Sequence, residues 1–236
     1  TCEMAEEKIA ERIDANLLDI PIQQLQDPLL TKQKYRAKMD VLKKKTQGKL
    51  VIKEYPTASA HVGHFKALLN ELSLKKGFHP EIIFVDYLNI CASSRYKGTI
   101  VNSYTYVKAI AEELRGLAGE YNVPILSATQ TTRSGYGNSN VEITDTSESF
   151  GLPATADLMF ALISTEDMEE LNQIMVKQLK NRYNDPTVYK RFVLGIDRQK
   201  MRLYDCEQGA QDNIIDAGDA PKSFTDTKKS FEGFKI

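Results

Sequence analysis

Nowhere does this chain contain an apolar run near the roughly 20 residues that a membrane-spanning helix needs. Its first segment is polar and acidic and does not read as a secretory signal. Charge of one sign is missing too: 31 basic residues face 32 acidic ones, for a net charge of -1. That excludes a global attraction to nucleic acid, so any such contact must come from local patches. Cysteine is scarce. Cys2, Cys91 and Cys206 are far apart and lack metal-ligand spacing. They read as free thiols in a reducing cytosol, which predicts a cytoplasmic location. No Ser/His/Asp set has supporting spacing, and His61, His64 and His79 read as structural. No internal repeat is visible.

What remains is ordinary for a globular protein: 236 residues, 42% hydrophobic and 27% charged. That length can bury a real core in one large domain or two small ones. Helical spacing runs from Ala5 through Ile9, Ile13 and Leu17, with Glu6 and Glu7 suited to a first turn. Leu29 to Lys45 is a second helical candidate, ending in the solvated run Lys43-Lys44-Lys45. Leu50 to Ile52 reads as a short strand and His61 to Leu74 as a helix. Val107, Ile110, Ala111, Leu114, Leu117 and Ala118 mark the clearest amphipathic helix, ended by Asn122 and Pro124. Strands are expected at Val123 to Thr129, Leu158 to Ile163, Met175 to Leu179 and Phe192 to Ile196. From about Glu207 the periodicity stops, so residues 1–206 read as one domain and 207–236 as a flexible tail.

The organising stretch is Ile82 to Val85 followed by Asp86. A continuous β-branched and aromatic run reads as a strand buried on both faces, as in a parallel sheet. Open α/β sheets bind ligands at the carboxyl ends of their strands. An acid placed there can hold Mg²⁺ against nucleotide phosphates, although an Asp that merely opens a loop fits the same letters. Glu3 and Gln130 also follow short apolar segments. The three suit one chemistry: one carboxylate orients an attacking water, a second holds the metal, and an amide senses the γ-phosphate. Each also has a plain reading. Glu3 could be a helix-start acid, Gln130 a strand cap, and Arg182, discussed next, a surface arginine.

The run Cys2 to Glu7, Val85-Asp86-Tyr87-Leu88, Ala128 to Arg133 (ATQTTR), Thr144 to Ser149 with Ala156-Asp157, and Lys180-Asn181-Arg182 occur in a telling order. In order and rough spacing they resemble the motor domain of DnaB-family replicative helicases, closest to those of T-even-type tailed bacteriophages. The likeness spans roughly residues 1 to 205. It implies a RecA-like α/β core: a mostly parallel sheet flanked by helices, with added carboxyl-terminal strands. It implies ATP and Mg²⁺ as cofactors, with Asp86 as metal ligand and Asp86 and Arg133 as nucleotide contacts. Glu3 matches the catalytic glutamate and Gln130 the γ-phosphate sensor. Lys180 and Arg182 match the basic pair that reaches a neighbouring subunit's site, Arg182 as the arginine finger. The implied partners are single-stranded DNA, five further copies in a homo-hexameric ring, a primase and a helicase loader. The implied location is the cytoplasm, that of the host cell if the source is viral. Arg95, Lys97, Ser147 and Phe150 would face the DNA channel.

The chain departs from the family's pattern in two places. It has no G-x-x-x-x-G-K-[ST], the phosphate loop that should precede Glu3. It starts at Thr1 without Met, so it reads as the carboxyl-terminal part of such a helicase, inactive on its own. The family usually has Arg where Ser147 stands. Two alternatives remain open: a RecA- or clock-type ATPase of the same fold, and a non-enzymatic fragment that assembles or binds DNA.

Overall fold

The computed structural model describes residues 1–25, 32–96, 101–131, 141–145, 151–185 and 187–207. Several helix ends carry caps that satisfy the free backbone groups. α1 (Glu6–Leu18) opens with Glu6 and Glu7 and closes on Asp19 in the left-handed region (φ 55°). After the short α2 (Ile22–Leu25) comes α3 (Lys32–Lys45), which buries none of its side chains. At the start of α4 (Val62–Lys76), His61 Nδ1 accepts the Gly63 N–H at 3.0 Å and the His61 N–H donates to His64 Nδ1 at 3.3 Å. Gly77, at φ 57°, ends it, a turn that glycine makes without a Cβ penalty. α5 (Ser103–Tyr121) is capped by Asn102, whose Oδ1 accepts the Thr105 N–H at 2.7 Å. Asn122 at φ 51° stops it, with Pro124 beyond.

The strands form two sheets. β1 (Ile83–Val85) and β2 (Ile125–Ser127) pair in parallel, with α5 as the crossover between them. β3 (Leu158–Ile163), β4 (Gln173–Asn181), β5 (Arg191–Asp197) and β6 (Arg202–Asp205) form an antiparallel sheet in sequence order. α6 (Gly151–Thr155) precedes β3, and α7 (Glu166–Glu170) joins β3 to β4. The expected combination of a parallel core and added late strands is therefore present, as an α/β fold. The parallel part extends beyond β1 and β2 through backbone bonds. Cys2 N–H donates to Asp86 O at 2.8 Å, and Tyr55 N–H donates to Thr1 O at 3.0 Å. The run Leu50 to Ile52 forms no strand; the extended residues just after it, up to Tyr55, pair with Thr1 instead.

The main core sits between α5 and β1. Val107, Ile110, Ala111 and Leu114 pack with Val85, Leu88, Leu152, Cys2, Ala60 and Cys91. The expectation that the central strand is buried on both faces is corrected. Alternate residues point away from α5, and Phe84 is 66% exposed, Leu126 45% and Ile82 46%. The same holds along β3, where Leu158, Phe160 and Leu162 are exposed. Side chains alternate in direction along a strand, so one helical layer covers one half of them. Among the described residues no helix covers the other half. The residues of the expected carboxyl-terminal tail beyond Glu207 lie outside the described part.

Candidate active site

The first cluster lies at the carboxyl end of the parallel strands. The Cys2–Asp86 backbone bond sets Glu3 next to Asp86, each just past the end of its extended segment. On the other side of β1, Val85 pairs with Ser127, and the Leu88 N–H donates to Ala128 O at 3.2 Å. That alignment brings Gln130 to Tyr87, where Gln130 Nε2 donates to Tyr87 Oη at 3.1 Å. The peptide between Asp86 and Tyr87 is cis. Glu3, Asp86 and Gln130 are all exposed. Three residues spread over more than half the chain thus share one end of one sheet. Arg133 lies outside the described residues.

Directly beneath this edge are two buried thiols, Cys2 and Cys91, with their sulfurs 3.8 Å apart. The Cys91 thiol hydrogen-bonds Cys2, against the opposing effect of burial, and lowers the Cys2 pKa to about 7. The same bond, with burial, raises that of Cys91. Sequence distance concealed this pair: 89 positions separate the two residues.

Lys180 and Arg182 form a second cluster, and no hydrogen bond or ion pair among the described residues joins it to Glu3, Asp86 or Gln130. Both turn to the carboxyl end of α6, where the last carbonyls of a helix lack partners. Lys180 Nζ donates to Pro153 O at 2.6 Å, and Arg182 Nη2 donates to Ala154 O at 3.2 Å. Arg182 Nη1 lies 2.8 Å from Asp157 Oδ1. Arg115, from α5, puts its Nη1 2.8 Å from the same oxygen and donates to Thr155 O at 2.6 Å. Burial lowers the Lys180 pKa, and the neighbouring Arg182 adds to the effect. Sequence reasoning singled out Lys180 and Arg182 but missed Arg115, and it gave Asp157 no role. A charge on the polar side of an amphipathic helix carries no signal of its partner.

Arg95 is likewise held within the chain, with its Nη1 2.5 Å from Glu112 Oε2. Lys97, Ser147 and Phe150 lie outside the described residues. Glu113, also missed, is 8% exposed and accepts hydrogen bonds from Ser93, Ser94 and Arg95. A signal for it existed: it stands three positions after Ile110, inside the apolar stripe of α5, where a charge needs partners.

As chemistry, the first cluster offers two exposed carboxylates without ion pairs among the described residues and one amide. No group of three or more potential metal ligands exists among the described residues. A lone strand-end carboxylate suits Mg²⁺, which takes one or two protein oxygens and fills its shell with water and phosphate.

Comparison with known proteins bears on the family and the fold. The DnaB-like replicative helicase of Enterobacteria phage T4 is 45% identical over 207 residues, covering 87% of this chain and 44% of that protein. The chain thus spans less than half the length of that curated relative. A solved ATPase domain superposes with a TM-score of 0.68 at 16% identity, over 87% of this chain and 72% of that one. A DnaB-like replicative helicase, solved with its interactions with primase, gives the same score and identity, over 87% of this chain and 49% of that one. At such identity these two establish the fold alone, the RecA-like α/β core. The family model described as the DnaB-like helicase C terminal domain matches residues 1–192, and by that match and the identity to the phage relative the chain belongs to this helicase family.

Proposed function

We propose that this chain is the carboxyl-terminal motor part of an ATP-dependent replicative DNA helicase that translocates on single-stranded DNA and unwinds duplex. One observation carries the reading: Glu3, Asp86 and Gln130 meet at the carboxyl end of adjoining extended segments, joined through Cys2, Tyr87 and Ala128. Asp86 would hold Mg²⁺, which supplies charge neutralisation for the phosphates. The Glu3 carboxylate, without an ion pair among the described residues, orients the attacking water and accepts its proton. The Gln130 amide contacts the γ-phosphate and reports its loss to Tyr87, to which it is already bonded. Arg133 adds a nucleotide contact.

Lys180 and Arg182 serve a neighbouring subunit in a homo-hexameric ring. This is supported by the exposed Arg182 side chain and by the lack, among the described residues, of any hydrogen bond or ion pair between the pair and Glu3 or Asp86. An arginine in that role stabilises charge developing on the transferred phosphoryl group. Arg95 and Lys97 with Ser147 and Phe150 line the DNA path; primase and loader are the further partners. In this family a glycine-rich loop with Lys supplies the main phosphate contacts, and the sequence has no G-x-x-x-x-G-K-[ST], so the proposal includes inactivity of this chain by itself.

The test is steady-state ATP turnover with single-stranded DNA, on this chain alone and joined to a phosphate-loop segment of DnaB type. The chain alone is expected to be silent. The joined protein turns over, and Glu3→Gln abolishes turnover while ATP binding persists. Turnover by the chain alone at about 1 s⁻¹ or above, within the range of ordinary enzymes, or an unimpaired Glu3→Gln, overturns the reading.

A further inference from the structure

The loop after β1 is tied to α5 at two levels, backbone and side chain. The backbone tie is Glu113. Ser93, itself buried, donates its hydroxyl to Glu113 Oε1 at 2.6 Å. Ser94 donates its N–H at 2.9 Å and its hydroxyl at 2.7 Å to Oε2. The Arg95 N–H reaches Oε1 at 3.3 Å, and the Ser93 N–H donates to Tyr106 Oη at 3.1 Å. Burial alone would push the Glu113 pKa up, but these donors outweigh it and the pKa falls below the ordinary 4.5. The carboxylate is therefore charged, and three successive residues are fixed on it. The side-chain tie is the next residue back. Glu112 Oε2 takes Arg95 Nη1 at 2.5 Å, while Lys108 Nζ stands 3.9 Å from Glu112 Oε1.

We infer that Glu113 is the positioning residue that fixes the Arg95 loop, and that Glu112 is a resident counter-anion which a single-stranded DNA phosphate must displace from Arg95. The inference rests on the proposed placement of Arg95 in the DNA path. The two ties differ in strength because their surroundings differ. Glu113 is buried and collects directed donors, so it holds through any exchange of partners. The Arg95–Glu112 pair has side chains 51% and 37% exposed. Such a pair is screened and weak, which makes the guanidinium available to a stronger competitor. A phosphate chain brings several charges to one guanidinium's surroundings, where Glu112 brings one. When Arg95 leaves, Lys108 is already on hand to neutralise Glu112, so the freed carboxylate does not face the DNA unpaired.

The experiment is fluorescence anisotropy of a labelled oligothymidylate, titrated with the full chain across a salt series. Arg95→Ala is expected to weaken binding and lower the salt slope by about 0.7, one phosphate contact on a single strand. Glu112→Gln is expected to tighten binding roughly two- to fivefold, the worth of an exposed pair. The double variant should bind no more tightly than Arg95→Ala. If Arg95→Ala weakens binding but Glu112→Gln does not tighten it, the counter-anion role is wrong and the DNA path stands. If Arg95→Ala has no effect, or no variant binds, the placement of Arg95 fails and takes the inference with it. For Glu113, Glu113→Gln should erase the difference that Arg95→Ala makes, and the milder Ser94→Ala, which removes one hydroxyl bond and leaves the Ser94 N–H bond, should reduce it, with the far-ultraviolet circular dichroism unchanged. If Glu113→Gln does not fold, Ser94→Ala decides. A folded variant that keeps the full Arg95-dependent slope would show Glu113 to be structural only.

Discussion

Replacing Asp157 by Asn tests the arrangement that holds the basic cluster. Asn keeps the shape and loses the charge shared by two guanidinium groups, each 2.8 Å from Oδ1. Those contacts are short but poorly aligned: water does not reach Oδ1, yet the oxygen accepts no well-directed hydrogen bond. Their worth is therefore mainly electrostatic. The side chains are 32% exposed at Asp157, 44% at Arg115 and 42% at Arg182, so solvent screens both pairs. Exposed pairs give roughly 0.2–1 kcal/mol each. The carbonyl contacts of Arg115 to Thr155 and Arg182 to Ala154 survive the substitution. The expected loss is about 1 kcal/mol, or roughly 2–4 °C in the unfolding midpoint for a chain of this size. Thermal or urea unfolding at low and high salt measures it, and the loss should shrink as salt rises. Double-mutant cycles with Arg115→Ala and Arg182→Ala apportion it. A midpoint that does not move, or a loss of the same size at every salt concentration, refutes the electrostatic account.

Two other perturbations follow from local contacts. Glu113→Gln should flatten the acid limb of the stability curve. The folded pKa lies below 4.5, so wild type holds this stability above the unfolded value and loses it as pH falls through the folded one; equal acid limbs in the two proteins would contradict the burial and bonding described. Gly195→Ala should destabilise by about 1–3 kcal/mol through overpacking, because an added Cβ meets the ring of the paired Tyr204 at 2.2 Å. The penalty should largely vanish in a Tyr204→Ala background, and unfolding midpoints that show the same penalty in both would locate the clash elsewhere.

The elements most legible in the sequence were those with strong periodicity. The stripe from Val107 to Ala118 gave α5, and Leu158 to Ile163 gave β3 at its observed bounds. The short elements α6, α7 and β6 were not legible. Arg202 to Asp205 has only Leu203 and Tyr204 to mark a strand, and it is held by its pairing with β5, which is a tertiary fact. The convergence of Glu3, Asp86 and Gln130 was legible as a rule about strand ends; that Cys2 joins Asp86 and Tyr87 joins Gln130 was not. Burial was misjudged at Phe84 for a related reason. An apolar residue on each face of a strand reports what the strand can bury, and the neighbours decide what it does bury.

The distribution of partners divides the ionisable groups by their proposed tasks. Among the described residues, the cations assigned to phosphates are engaged within the chain: Arg95 with Glu112, and Arg182 with Asp157 and the α6 carbonyls. The carboxylates assigned to water and metal, Glu3 and Asp86, have no ion pair among the described residues. A guanidinium stays charged whatever its neighbours, so pairing it costs no function until a polyanion arrives. It also suppresses loose phosphate binding by a chain whose net charge is only -1. A carboxylate differs, because a cation held beside it would lower its basicity toward water and contend with Mg²⁺. On the proposed mechanism the two signs therefore need opposite treatment. On that mechanism the paired cations would exchange partners when nucleotide or DNA binds, while the carboxylates would stand ready at the strand ends.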